Sequence, residues 1–127
     1  MGKLTDIFLV FVGGGAGSTV RFLLGRWVNA WHNHHFPFGT LAVNVVACLV
    51  LGYVVGIADH RHIISPSARL FWTVGFCGGF STFSTFSAET LTLIQGGFHF
   101  STFVYITSSL ILCLAGTFGG IYLGENS

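Results

Sequence analysis

The stretch 75-GFCGGFSTFSTFSAET-90 decides how the rest of the chain is read. It lies between apolar runs, yet it carries the pair Gly78-Gly79 and then five hydroxyl residues from Ser81 to Ser87, interleaved with Phe80, Phe83 and Phe86. Each glycine inside a helix lowers helix propensity by about 1 kcal/mol relative to alanine. A break is therefore expected near Gly78-Gly79. Breaking a helix frees carbonyls and N–H groups, and at membrane depth these persist only when buried in protein or lining a wet cavity. Freed carbonyls are hard oxygen ligands that suit a small cation. Freed N–H groups and hydroxyls suit an anion. The phenylalanines, three residues apart, share one side of the resumed helix, and their ring edges carry partial positive charge.

The surrounding composition makes this a question about membranes. Of 127 residues, 52% are hydrophobic and only 7% are charged, against about 25% charged in a typical soluble domain. Five bases and four acids cannot cover a soluble surface. A net charge of +1 also argues against a nucleic-acid partner, which needs clustered Lys and Arg. No cleavable leader is expected, because the apolar run after Met1 leads straight into glycines and Arg21.

A spanning helix needs roughly 20 mainly apolar residues, and four segments qualify: about 5–29, 38–58, 69–94 and 99–123. Together they make residues 1–127 a single four-span, all-α membrane domain in a lipid bilayer. The joints HNHHFP, DHRHIISPS and QGGF hold Pro37 and Pro66, where a missing N–H costs little. Trp27, Trp31, Trp72 and Tyr122 fall near span ends, as interfacial aromatics do. If the termini share a face, Lys3, Arg61 and Arg69 lie on it, while Arg26 and Arg21 lie toward the other. That bias is weak under the positive-inside rule. A chain that inserts both ways can build an antiparallel dimer.

Four short helices enclose little space, so a pathway would form between subunits. Gly13, Gly14, Gly15 and Gly17, with Gly116, Gly119 and Gly120, provide smooth surfaces for close helix contact. The glycine run is not a dinucleotide fingerprint, since no strand precedes it and the third glycine is missing.

Polar residues inside the spans are few. Thr40 and Asn44, four apart, share a helix face. Asn44 reads equally as a helix–helix hydrogen bond and as a donor facing a path. Tyr105, Ser109, Cys113 and Thr117 form a slowly winding stripe, although a hydroxyl in a membrane helix often bonds its own i−4 carbonyl. Cys48, Cys77 and Cys113 lack metal or redox spacing and read as small buried hydrophobes. His32, His34 and His35, and His60 with His62, lack carboxylate or cysteine partners for a metal, and read as wet interfacial loops.

Taken together, GFCGGFSTFSTFSAE, the upstream GTLAVN and the first-span GGGAGSTVRF resemble the Fluc (CrcB) family of fluoride channels, in order and spacing over nearly the whole chain. The resemblance implies an antiparallel, dual-topology homodimer in the inner (plasma) membrane of a bacterium. It implies two pores that export fluoride from the cytoplasm and one central structural sodium ion. By the same resemblance, Asn44 is the pore amide donor and Phe83 and Phe86 offer ring edges. Ser84, Thr85 and Thr40 supply hydroxyls, and Tyr105 and Ser109 line the pore from the last span. The backbone carbonyls of Gly78 and Ser81 would bind sodium, two from each subunit, while Arg21 and Glu89 flank the pathway. This chain departs from the family pattern at Phe80, where leucine is frequent, at Ser81, where threonine is common, and at Cys113, where a serine is expected. A thiol is a poor donor.

Two other readings compete. A proton-coupled exporter of cationic compounds can also be a four-span, dual-topology protein, but it needs a membrane-embedded acid. Here Asp6 sits at a span edge and Glu89 late in the third span. A structural assembly subunit explains the glycines but not a hydroxyl–phenylalanine repeat. An enzyme is not expected, because no Ser–His–Asp, metal or nucleotide constellation occurs.

Overall fold

A computed structural model describes residues 2–31 and 34–127, so His32 of the histidine cluster lies outside the described residues. Every described element is helical. Helix α1 is Lys3–Asn29, whose 27 residues reach about 40 Å at 1.5 Å per residue. Helix α2 is Phe38–Gly56 and winds on through a π-helical turn, Ile57–Arg61. The next helical run, α3, covers 66–80: α-helical at Pro66–Leu70, π-helical at Phe71–Cys77 and α-helical again at Gly78–Phe80. Helix α4 is Phe83–Gln95 and α5 is His99–Glu125. Lys3–Asn29, Phe38–His60 and His99–Glu125 are each long and apolar enough to cross a membrane as one helix. The stretch expected as the third span, 69–94, is divided between α3 and α4.

Local chemistry sets the ends of that divided stretch. Ser65 caps α3 by accepting the Ala68 N–H at 3.1 Å, and Pro66 occupies the first helical position, where its missing N–H is no loss. The helix therefore begins before the expected residue 69. At the far end Gly97 takes φ +79°, a left-handed conformation that suits glycine. Its N–H bonds the Ile94 carbonyl at 3.1 Å and the Phe98 N–H bonds that of Leu93 at 2.9 Å. These two bonds make a Schellman turn that stops α4.

The interruption itself lies beyond the glycine pair. Gly78 is helical (φ −62°, ψ −39°), and the extended residues are Ser81 (φ −76°, ψ 159°) and Thr82 (φ −150°, ψ 117°). The reason is packing. A Cβ on Gly79 would lie 2.3 Å from the Gly14 carbonyl oxygen, and one on Gly17 would lie 2.2 Å from that of Phe76. Glycines there let α1 and α3 touch backbone to backbone. The α2–α5 seam works in the same way: a Cβ on Gly52 would lie 2.1 Å from the Thr117 oxygen, and one on Gly120 would lie 2.3 Å from that of Leu49. In lipid, where burial gives helices no hydrophobic drive to associate, such close contact supplies the attraction.

Two small cores complete the packing. Val43, Ala47 and Phe80 form one, backed by Leu24 and Phe76. Phe36, Leu93 and Tyr105 form the other, with Leu41, Phe86 and Val104 against it. Helix α1 buries only Gly13 and Gly17 and turns Leu4, Ile7, Phe8 and Phe11 outward.

Candidate functional site

The break between α3 and α4 is held by a side chain from α2. The Thr82 N–H donates to Asn44 Oδ1 at 2.8 Å, and Asn44 Nδ2 donates to the Thr82 carbonyl at 3.1 Å. One side-chain amide thus satisfies both backbone groups of an extended residue, as a neighbouring peptide would. Thr82 then caps α4, its Oγ1 accepting the Thr85 N–H at 3.2 Å and lying 3.0 Å from Thr85 Oγ1. The Ser81 N–H and hydroxyl both donate to the Cys77 carbonyl, at 2.9 and 2.8 Å. The Gly79 carbonyl accepts from Arg21 Nε at 3.1 Å and from the Ser18 hydroxyl at 3.3 Å.

Two carbonyls are treated differently. In an unbroken helix the Gly78 oxygen would receive the Thr82 N–H, and the Ser81 oxygen the Thr85 N–H. Both donors are engaged elsewhere, by Asn44 Oδ1 and Thr82 Oγ1. Gly78 and Ser81 border one cleft of about 160 Å³, together with Thr73, Cys77, Ala47 and Cys48.

Three larger clefts follow one another past the break. The first, about 320 Å³, is bordered by Asn44, Phe83, Phe86, Ser109, Cys48 and Cys113, among others. Among the described residues, none that is charged lines it. The second, about 200 Å³, includes Arg21, Arg26, Thr40, Thr82, Thr85 and Glu89. The third, about 310 Å³, includes Asn29, His34, His35, Glu89 and Thr92. Thr82 borders the first and second, while Asn29 and Glu89 border the second and third.

Most of the residues singled out from the sequence meet in this series. Asn44 spends one amide N–H on Thr82, and a carboxamide has two, so a donor remains. Phe83 and Phe86 lie with ring centroids 5.5 Å apart. Phe83 is 77% exposed in the single chain, whereas Phe86 packs on the Tyr105 ring at 5.0 Å. Ser109 is 8% exposed, and its hydroxyl is buried without a hydrogen-bond partner among the described residues. Such a group is costly unless something accepts from it. Tyr105 is fully buried, and its hydroxyl donates to Glu89 Oε1 at 3.0 Å. Ser84, which is exposed, and Tyr105 border none of the three clefts. Lower on the stripe, the Thr117 hydroxyl bonds its own helix at the Cys113 carbonyl, 3.2 Å away. His35 stacks on Phe98 at 3.8 Å and its Nε2 lies 2.9 Å from the Ser101 hydroxyl.

Sequence reasoning missed Thr82, the pivot of the joint. A threonine before a helical stretch is an N-cap signal, so its hydroxyl was legible, but its backbone pairing with Asn44 was not. Ser18 and Asn29 carried no signal of their own.

Residues 8–121 match the family model described as CrcB-like protein, Camphor Resistance (CrcB). A Phocaeicola vulgatus protein named fluoride-specific ion channel FluC is 40% identical over 122 residues, covering 96% of this chain and 100% of the relative. A Geobacter sulfurreducens protein of the same name is 42% identical over 118 residues, covering 93% and 95%. Another, from Agrobacterium fabrum, is 39% identical over 123 residues, covering 97% and 98%. With the family model matched from the first span to the last and relatives aligned end to end, the chain belongs to the CrcB family.

Proposed function

We propose that the chain is a fluoride-selective channel that exports fluoride from the bacterial cytoplasm, working as an antiparallel homodimer with two pores. The observation that carries this reading is the first cleft. Among the described residues it offers an unpartnered Ser109 hydroxyl, the second N–H of Asn44 and two phenylalanine rings, with no charged residue in its lining. Fluoride is small, strongly hydrated and an avid hydrogen-bond acceptor, so leaving water requires many replacement donors. Neutral donors supply them without the hold of a lysine or arginine in the path, and conduction requires that ions also leave. Chloride, larger and a weaker acceptor, would gain less from the same groups.

The remaining residues take supporting roles. Arg21 and Arg26 at the second cleft would raise the local anion concentration. Arg21 is restrained by the Gly79 carbonyl, which keeps it from acting as a trap. Thr40 and Thr85 offer hydroxyls in the same cleft, and the Tyr105–Glu89 bond fixes the carboxylate beside it. Ser84 and the outward face of Phe83 would be completed by the partner subunit.

The carbonyls of Gly78 and Ser81 suit a sodium site, because the helical donors of both are diverted and both residues border one cleft. Two from each subunit would converge near the two-fold axis, and a sodium ion bound there would offset repulsion among the carbonyl dipoles. The Ser81 hydroxyl points to the Cys77 carbonyl, so Ser81→Ala should leave such a site intact. Full fluoride flux in rigorously sodium-free protein would overturn the sodium proposal. The channel itself is tested with purified protein in fluoride-loaded liposomes, with chloride as control. Rapid fluoride efflux with little chloride efflux is expected; no efflux, or equal rates, would overturn it.

A further inference from the structure

Read along the sequence, the three cysteines are isolated apolar residues; in the fold two of them meet beside the charge-free cleft. Helices α2 and α5 run together along the Gly52–Gly120 seam. Further along it a Cβ at Gly116 would lie 3.5 Å from the Cys48 Cβ, and Cys113 is the residue three positions before Gly116 on that helix, a spacing that shares a face. Cys113 lies within electrostatic reach of Cys48, and so does Cys77. Both are half-buried free thiols, and both border the cleft that holds Asn44, Phe83, Phe86 and Ser109. Cys77 is buried and borders the smaller cleft on the other side of Cys48.

We propose that Cys48 and Cys113 form a two-thiolate binding site for a thiophilic metal cation such as Hg(II), and that its occupation closes the cleft. The closure, though not the binding, rests on the reading of that cleft as the fluoride path. Soft sulfur ligands select soft metals, and the metal binds thiolates, so binding releases protons. Each thiol gives one proton to solvent, each sulfur gives one electron pair to Hg(II), and no electron is transferred; the bis-thiolate complex is neutral. Among the described residues no group of three or more His, Cys, Asp or Glu side chains is arranged to hold a metal. A tetrahedral zinc site is therefore not available here. Hg(II) favours two sulfur ligands in line, an arrangement that a facing pair of thiols can meet without a carboxylate or an imidazole. The ion would stand among the donors that the anion needs.

The test uses the full chain, purified as the folded oligomer. Mercuric chloride is titrated against a competing monothiol, with bound metal read by native mass and by the ultraviolet thiolate-to-mercury absorption. One tightly held Hg(II) per chain is expected for the unaltered protein and for Cys77→Ala. Cys48→Ala and Cys113→Ser should each hold it about 10²–10⁴-fold less tightly, because the second ligand is no longer at high effective concentration. A monofunctional organomercurial should not show that difference. In liposomes, Hg(II) should stop fluoride efflux of the unaltered protein and of Cys77→Ala, with recovery on adding a dithiol. Cys113→Ser should keep its own metal-free rate. Unchanged affinity in Cys48→Ala or Cys113→Ser, or loss of affinity in Cys77→Ala, would overturn the site. Intact binding without block would overturn the closure and count against the cleft as the ion path. Missing binding beside normal fluoride efflux would overturn the site and leave the channel standing.

Discussion

Asn44→Ala should undo the joint between α3 and α4 as well as lower flux, and the structure sets how much. The amide bonds both the N–H and the carbonyl of Thr82. Removing it leaves two partly buried backbone groups without partners, each costing about 1–3 kcal/mol, so about 2–6 kcal/mol together. At a scale of about 4 °C per kcal/mol, thermal unfolding in detergent should fall by roughly 8–24 °C. Thr82→Ala makes the contrast. It removes the cap on Thr85 at about 0.5–2 kcal/mol but leaves the backbone groups that Asn44 holds. Because Asn44 and Thr82 are bonded to each other at one joint, their double variant should depart from additivity by about 0.5–3 kcal/mol. The assay is thermal unfolding of the two single variants and the double variant, followed in parallel with liposomal efflux. Efflux lost in Asn44→Ala with the unfolding transition unmoved would refute the joint and leave Asn44 as a pore donor only.

Asn44→Asp keeps the bond from the Thr82 N–H but sets a negative charge beside the anion. At contact of about 4 Å and an effective dielectric of 20, that is about 4 kcal/mol of repulsion, so efflux should fall by about three orders of magnitude while size-exclusion still shows the dimer. Phe83→Ile and Phe86→Ile should cut efflux more than Phe103→Ile, whose side chain is 66% exposed and lines no polar cleft; equal losses at all three would reduce the ring-edge argument to packing. Gly120→Ala would press a Cβ to 2.3 Å from the Leu49 oxygen, whereas at Gly119 nothing lies within 4 Å, so the first should cost about 1–3 kcal/mol or more and the second nothing measurable by thermal unfolding. A C-terminal tag should be labelled from both sides of one membrane, and labelling from one side alone would exclude the antiparallel dimer.

How much of this was legible in the sequence differs by kind of contact. Contacts within one helix leave a local trace: the Gly96-Gly97 stop and the apolar spans follow from neighbouring residues, whereas the Ser65–Pro66 cap, equally local, falls in what the sequence reads as a joint. The location of the break did not. Gly78-Gly79 reads as a breaker because glycine lowers helix propensity, yet the pair stays helical and Gly79 serves the backbone contact with Gly14. The chain is extended at Ser81 and Thr82, where an amide 38 positions upstream takes over the backbone hydrogen bonding of Thr82, and no local propensity reports a partner at that separation. The same holds for Cys48 and Cys113, unremarkable alone and adjacent only once α2 and α5 close. Asn44 stood evenly between a structural and a functional reading because its amide has enough hydrogen-bonding groups for both.

The Asn44–Thr82 joint also bears on how the chain is made. Ribosomes deliver α2 to the bilayer before the stretch 66–95 emerges, so the amide is waiting when its partner arrives. Until they meet, an extended Thr82 in hydrocarbon would expose an N–H and a carbonyl at several kcal/mol each. Entering as one continuous helix avoids that, since the Thr82 N–H then bonds the Gly78 carbonyl. The nascent segment should thus cross unbroken and open at Ser81–Thr82 only after docking against α2, which makes the break a late event of biogenesis that an earlier helix brings about.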